Sequence, residues 1–155
     1  MKPIILTPVK TSSPNPLKKQ PKSRCKKVPD PGTSLQLLVN RLVGNSLNGI
    51  DRNKCIVVNE VPSEFRIAAD EMAAPVISEL LTTMVANARN GRIYINAQKF
   101  RDVMIVEMQE RNNYNGYALA FSLKSIEPQA FVIGGNISIT GIQKLETTVS
   151  FSFPN

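Results

Sequence analysis

The sequence contains no histidine and only two cysteines among its 155 residues. The lack of histidine excludes, within this chain, a histidine-based catalytic dyad, a histidine metal site and a phosphoaccepting histidine. Cys25 lies in a basic, proline-rich segment and Cys55 in a predicted strand, so neither a disulfide framework nor a zinc-binding spacing exists. The chain has no apolar run long enough to cross a bilayer, and the N-terminal PIIL is too short for a signal-peptide core. We therefore expect a soluble, cytoplasmic protein.

All of the net positive charge lies in the first fifth of the chain. Residues 1–33 contain eight basic residues and one acidic residue, which account for the whole charge of +7. This segment also holds seven of the eleven prolines and few large apolar residues, so it cannot bury enough surface to offset the entropy of ordering. We expect residues 1–33 to form a disordered tail and residues 34–155 to form one domain.

The basic tail allows two interpretations. Lysine clusters such as KKQPKSRCKK could neutralise several phosphates of a nucleic acid, or bind another acidic partner, with an affinity that falls as salt rises. The clusters have no interleaved aromatic residues on which bases could stack, and solvated linkers beside folded domains have similar compositions. A linker or weak electrostatic arm is therefore the alternative to nucleic-acid binding.

Apolar residues at helical spacing predict two helices in the first part of the domain. The first, SLQLLVNRLVGNSLNG, follows the N-cap residue Ser34 and can end at Gly44 or Gly49. The second covers residues 70–90 and tolerates Pro75 in its first turns. Gly91 directly follows it and stops it.

Strand patterns and a third helix fill the rest of the domain. Segments 92–100 and 102–110 alternate apolar and polar residues across a tight connection near Arg101, which predicts an antiparallel hairpin. The amphipathic YALAFSLKSI (117–126) predicts a helix that ends before Pro128. The other predicted strands are CIVVNEV (55–61), EFRIAA (64–69), FVIGGNISIT (131–140) and TTVSFSFP (147–154), with a turn at Gly141 between the last two.

The predicted elements follow one order: helix, two strands, helix, two strands, helix and two strands. A mixed, mostly antiparallel sheet covered on one face by about three helices accounts for this order best. The expected fold class is therefore α/β, a two-layer α/β sandwich preceded by the disordered tail.

The stretches IVVNEVPSEFRIAADEMAAPVISELL and GNISITGIQKLETTVSFSFP resemble the ATP-binding domain of sensor histidine kinases and its relatives in the gyrase, heat-shock-ninety and MutL superfamily, which share the Bergerat fold. IVVNEVPSEFRIAADEMAAPVISELL is similar to the strand-turn-strand segment, aspartate and asparagine-motif helix of the family. GNISITGIQKLETTVSFSFP is similar to the family ending, a Gly-Gly turn, a strand, a glycine turn and a last strand. The resemblance covers residues 34–154 and implies ATP and magnesium as possible cofactors.

The resemblance assigns candidate site residues to the second helix. In the family, polar residues four positions apart face the nucleotide, and an asparagine at the second position holds the magnesium ion. An ungapped match to VISELLTT places Glu79 at the first position and Thr83 at the second. Glu79 would then be the base that orients water in the hydrolysing relatives, or alternatively a solvated residue on the helix edge. A rival register places Asn87 at the motif asparagine but leaves a short connection to the next strand.

The glycine motifs of the family are only partly present. Glu110 is the counterpart of the aspartate that binds the adenine amino group, and Gly116 is the one retained glycine of the phosphate-wrapping G-x-G-L-G-L motif. Five residues separate them, so the long lid of the family is missing. The ERNNYNG and GYALAF segments can alternatively be a polar loop and a plain helix. The motif glycines are replaced by Asn112, Tyr114, Ala118 and Ala120.

Three functions are consistent with these observations. We favour a degenerate pseudo-ATPase of the histidine-kinase type that acts in signalling through protein interaction, without enzymatic activity in isolation. The alternative is a functional Mg-ATP-binding kinase or ATPase domain that uses Glu79, Thr83 or Asn87, and Glu110, with the phosphoaccepting histidine on another chain. In the third, the tail binds nucleic acid or an acidic partner, and the neutral domain serves as an anchoring or homodimerisation body.

Overall fold

The computed structural model describes residues 32–46, 55–68, 70–88, 91–111 and 116–155. Within these ranges the chain forms a five-stranded sheet, a two-stranded sheet and four helices. The predicted tail, apart from its last two residues, lies outside the described residues. The elements are β1 (Thr33–Ser34), α1 (Leu35–Ser46), β2 (Ile56–Asn59), β3 (Arg66–Ile67), α2 (Asp70–Asn87), β4 (Arg92–Phe100), β5 (Val103–Arg111), α3 (Gly116–Leu123), α4 (Glu127–Val132), β6 (Asn136–Thr140) and β7 (Glu146–Pro154).

The centre of the large sheet is the antiparallel hairpin of β4 and β5. Nine residue pairs join the two strands, from Arg92 opposite Arg111 to Phe100 opposite Val103. Arg101 closes the two-residue turn with a φ of 54°, the left-handed conformation that two-residue hairpin loops require. The predicted hairpin and its tight connection are therefore confirmed.

The large sheet has the order β2-β4-β5-β7-β6. The pair β2–β4 is parallel, and the three other neighbouring pairs are antiparallel. The short strands β1 and β3 pair with each other in a separate antiparallel sheet, in which Thr33 lies opposite Ile67. The predicted mixed, mostly antiparallel sheet is confirmed.

One face of the large sheet carries the core and the other is polar. The cross-strand neighbours Ile95, Met108 and Val149 are buried. The next row, on the opposite face, consists of Asn96, Glu107 and Ser150. This difference follows from the period-two alternation of the strands. The two-layer α/β sandwich is therefore confirmed.

The helices supply the other half of the core. Helix α2 is central, since it packs against both α1 and α3. At the start of α1, the backbone N–H of Leu37 donates to Ser34 Oγ at 3.5 Å, which confirms Ser34 as the N-cap. None of the described helices is long and apolar enough to cross a bilayer. The largest fully buried helical side chains are Leu35, Leu38, Ile77, Leu80, Leu81 and Met84.

The predicted strand 131–140 was wrong in its first part. Phe131 and Val132 belong to the short helix α4, so the structure has four helices rather than three. Pro128 lies in the first turn of this helix, where a residue without an N–H is tolerated. Gly134, at a φ of 71°, ends α4 and lets the strand begin at Asn136. The third predicted helix correspondingly ends at Leu123 rather than at residue 126.

The structure contradicts Gly44 as the end of the first helix and residue 90 as the end of the second. Helix α1 continues through Gly44 to Ser46. Gly44 is exposed and lacks the positive φ that a helix-terminating glycine adopts, while Gly49 lies outside the described residues. Helix α2 ends at Asn87 instead of residue 90. The residue at which a helix ends depends on tertiary packing more than on local sequence.

Candidate functional site

Helix α2 carries three of the sequence-predicted site residues. Its apolar residues face the core, while Glu79, Thr83 and Asn87 are each half-buried at its edge. Asn87 Nδ2 donates to the carbonyl oxygen of Thr83 at 2.8 Å. Within the described ranges, the Glu79 carboxylate makes no hydrogen bond or ion pair.

A groove of about 410 Å³ separates α2 from α3. Thr83 and Asn87 line this groove, whereas Glu79 does not. The i and i+4 pair that the rival register selects therefore shares one groove, while the preferred pair of Glu79 and Thr83 does not. The described residues that line it are all uncharged: Thr82, Thr83, Ala86, Asn87, Phe121, Ser122 and Ser125.

Three hydroxyl groups of this groove donate to nearby backbone carbonyl oxygens. Thr82 Oγ1 donates to the carbonyl oxygen of Ser78, and Ser122 Oγ donates to that of Ala118, each at 2.9 Å. Ser125 Oγ donates to the carbonyl oxygen of Ser122 at the same distance. The hydroxyl oxygens still have free lone pairs, so the groove presents hydrogen-bond acceptors to anything that enters it.

Glu110 is a fully buried carboxylate near the end of β5. Neither of its oxygens has a hydrogen-bond partner within the described residues. Its cross-strand neighbours are Ile93 and Thr147, and Thr147 Oγ1 donates to the carbonyl oxygen of Gly141 instead. Burial raises the pKa of Glu110 to about 7. A carboxylate in this state can accept hydrogen bonds from an amino group that replaces the lost water.

Gly91 and Cys55 surround this carboxylate. A Cβ at Gly91 would lie 3.3 Å from Glu110 Oε1 and 2.9 Å from the Arg111 carbonyl oxygen, so only glycine leaves this space open. Burial and, second, the charge of Glu110 raise the pKa of the Cys55 thiol to about 11. Sequence reasoning predicted Gly91 only as a helix stop; its position directly before a buried strand was the available signal.

Gly116 is the first residue of α3, and the third helix is confirmed in this segment. A Cβ there would lie 2.5 Å from the carbonyl oxygen and 2.8 Å from the Cα of Ile142, in the turn that follows β6. Packing against this turn is therefore enough to require glycine at position 116. Leu119 and Leu123 of the same helix are buried in the core.

Within the described ranges, no groove is lined by all five predicted site residues. Thr83 and Asn87 share the groove, Glu110 lies beside Gly91, and Gly116 packs on Ile142. No cluster of three or more carboxylates and thiols suited to a metal ion occurs within the described ranges. The unpaired Glu110 fits the amino group of adenine, whereas the uncharged groove does not fit a magnesium triphosphate. Sequence reasoning also missed Phe121, whose side chain is 76% exposed beside that groove.

Comparisons with known proteins identify the fold. No protein-family model matches the chain, and no curated protein matches it. Solved structures do match, among them several histidine kinases and the catalytic domain of one. The chain therefore has a histidine-kinase-like ATPase fold, as the resemblance of its sequence implied.

Three of these structures illustrate the likeness. The histidine kinase AdeS of Acinetobacter baumannii has a TM-score of 0.63 at 11% identity, over 78% of this chain and 64% of that chain. A histidine kinase from Burkholderia phymatum has a TM-score of 0.64 at 13% identity, over 79% and 69%. The catalytic domain of the histidine kinase ThkA has a TM-score of 0.55 at 17% identity, over 79% and 94%. The chain thus spans less than two thirds of the AdeS structure and nearly all of the ThkA domain.

Proposed function

We propose that this chain is a histidine-kinase-type ATPase-like module of signal transduction that does not turn over ATP and acts by binding a protein partner. The main observation that supports this proposal is helix α3. It occupies the segment that matches the phosphate-wrapping motif of the family, and it begins at Gly116, five positions after β5 ends at Arg111. Because Leu119 and Leu123 anchor α3 in the core, the segment cannot open around phosphates without exposing them.

The charge of the α2–α3 groove supports the same proposal. A triphosphate carries several negative charges, and proteins hold it with backbone N–H groups, cationic side chains and a metal ion. The groove instead offers hydroxyl and amide acceptors and one aromatic ring. Among the described residues of its lining, an anion placed there would meet hydroxyl and amide groups but no positive charge.

The same groove suits a protein partner. Phe121 is a large apolar side chain in contact with water, next to a cavity of about 410 Å³. Exposed aromatic residues beside polar acceptors are typical of protein interfaces. The expected partner presents an apolar side chain to Phe121 and hydrogen-bond donors, such as amide or guanidinium groups, to the hydroxyl groups of α2.

The first test measures ATP turnover and binding. Mg-ATP is titrated into the isotopically labelled full chain to roughly 10 mM, above the KM range of most enzymes, while amide shifts and phosphate release are followed. We expect no phosphate release and no shift changes in α2 and α3. Phosphate release that disappears in Glu79→Gln would contradict the proposal, because it would give Glu79 the role of a catalytic base.

The second test identifies the partner surface. Proteins captured by the wild-type chain and lost with Phe121→Asn are purified, and their affinity for both chains is measured. Leu37→Asn is the matched control, since Leu37 is 65% exposed on α1, away from the groove. Removing a central aromatic contact should weaken binding at least about tenfold. Equal affinities of the Phe121 variant and the wild type would remove the groove from the interface.

A second candidate function is the binding of adenine or a similar purine at Glu110. The supporting observation is the buried, unpaired carboxylate beside Gly91, at the counterpart of the adenine-binding aspartate. Adenosine, which lacks phosphates, is the sharpest probe. Adenosine binding that shifts the amides of β5 and is lost in Glu110→Ala would favour this candidate. The absence of any shift at millimolar adenosine would remove it.

A further inference from the structure

Strand β6 forms one edge of the large sheet. It pairs with β7 on one side, and no described residue pairs with it on the other. An edge strand presents unpaired backbone N–H and C=O groups, which proteins usually protect with charged residues, proline or a bulge. The sequence of β6, Asn-Ile-Ser-Ile-Thr, contains none of the protective residue types. This edge is therefore competent to add another strand.

A groove lies at each end of β6. At the start of the strand, a groove of about 420 Å³ is bordered by Glu127 and Phe131 of α4. At the end of the strand, a groove of about 330 Å³ is bordered by Tyr117 of α3 and by Lys144. The aromatic side chains are 80% exposed at Phe131 and 65% exposed at Tyr117. Each end of the edge thus combines one exposed aromatic ring with one charged residue.

We propose that β6 pairs with the β6 strand of a second copy of this chain, as an antiparallel two-fold dimer centred on Ser138. Two-fold antiparallel pairing about Ser138 places Ile137 of each copy opposite Ile139 of the other, on the face that carries the core. It places Asn136 opposite Thr140 on the polar face. The two sheets then form one continuous sheet of ten strands.

The two ends of β6 are complementary to each other. Antiparallel pairing brings the start of one strand beside the end of the other, so Glu127 of each copy approaches Lys144 of its partner copy. Neither residue has an ion-pair partner within the described ranges. The same pairing brings Phe131 towards the opposite Tyr117, whose hydroxyl already accepts a hydrogen bond from Gln143 Nε2 at 2.6 Å. This self-complementarity of charge and apolar surface favours a second copy over an unrelated strand.

Sedimentation of the full chain, followed by cross-linking, tests the dimer. We expect the sedimenting mass to rise from 17.1 kDa to twice that value as concentration increases. In a Cys25→Ser background, Ser138→Cys should form an intermolecular disulfide on mild oxidation, because opposed residues of paired strands lie within disulfide reach. Gln98→Cys, on an exposed position of β4, is the control and should not cross-link. The proposal would be overturned if the protein remained a monomer at roughly millimolar concentration, because most specific complexes have dissociation constants below that concentration.

Charge reversal tests the orientation. Lys144→Glu and Glu127→Lys should each raise the dissociation constant several-fold, and the double variant should return it towards the wild-type value. Ser138→Lys, which opposes two lysines at the two-fold axis, should abolish the dimer, whereas Gln98→Lys should not. Thermal melting of each monomer checks that the variants fold. A dimer that is insensitive to all these changes would use another surface and would also overturn the proposal.

Discussion

The sequence segments that resemble the nucleotide-binding motifs of the family lie in two places, the surroundings of Glu110 (the Glu110 end) and the groove between α2 and α3 (the groove end). These two places differ in how their polar groups are paired. At the Glu110 end, a carboxylate is fully buried without a partner, at a cost to the free energy of folding. At the groove end, Asn87 donates to the backbone carbonyl oxygen of Thr83 within the same helix, and neither side chain bears a charge. A costly unpaired group is stronger support for ligand recognition than an inexpensive polar surface. The Glu110 end is therefore the more informative of the two for a test of ligand binding.

The largest expected effect concerns helix α3, because this helix contributes buried side chains to the core. Leu119→Ala should lower the free energy of unfolding by about 2–5 kcal/mol, because it removes a fully buried side chain. Phe121→Ala is the control on the same helix and should change it by less than about 0.5 kcal/mol. Urea denaturation measures both. Equal losses would mean that Phe121 is also part of the core.

The buried carboxylate should make stability depend on pH. A pKa raised to about 7 means that the folded state holds the proton of Glu110 more tightly than the unfolded state does. Stability is therefore greatest below the unfolded pKa and is lost as pH rises through about 7. The shift corresponds to roughly 3 kcal/mol between acid and alkaline conditions.

Replacing Glu110 measures directly how much its buried carboxylate lowers the free energy of unfolding. Glu110→Gln should unfold at higher urea than the wild type at pH 8 and should show a weaker pH dependence. Glu107→Gln, on the polar face of the same strand, should leave the pH dependence unchanged. A Glu110→Gln variant with an unaltered pH profile would show that the carboxylate is not responsible.

Gly116 and Gly44 distinguish a glycine required by packing from one that is not. Gly116→Ala should cost about 1–3 kcal/mol, because its Cβ collides with the backbone of Ile142. Gly44→Ala should instead stabilise α1 by about 0.5–1 kcal/mol, since nothing lies within 4 Å of the added methyl group. Thermal unfolding compares the two. An unchanged thermal unfolding of Gly116→Ala would show that packing against Ile142 does not require glycine at this position.

The smallest expected effect is on the reactivity of Cys55. Its pKa of about 11 keeps the thiol protonated at pH 8, so labelling in a Cys25→Ser background should be slow. Because the charge of Glu110 is the second cause of this shift, Glu110→Gln should speed labelling by roughly two- to fivefold. Glu107→Gln serves again as the control. An unchanged rate in the Glu110 variant would show that the two groups are not coupled.

The sequence predicted the sheet better than it predicted the site. The strands β5 and β7 alternate over nine residues each and β4 over its first seven, and this period defines which of their side chains are buried. The helix α4 was missed because Phe131 and Val132 favour strand locally, whereas the structure places them in a short helix that ends before the turn at Gly134. Residue spacing could not reveal that Glu110 lacks a partner or that Gly91 opens space beside it, because both depend on contacts between distant segments.

The hairpin at the centre of the sheet has a consequence for how the chain folds. Its nine pairs close through the two-residue turn at Arg101, so their formation sacrifices little chain entropy. The equally long β5–β7 pairing must first close the loop from Arg111 to Glu146. Folding should therefore nucleate at β4–β5, with β7 and then β6 added late. A newly made chain would expose its dimerising edge only after the rest of the sheet is in place.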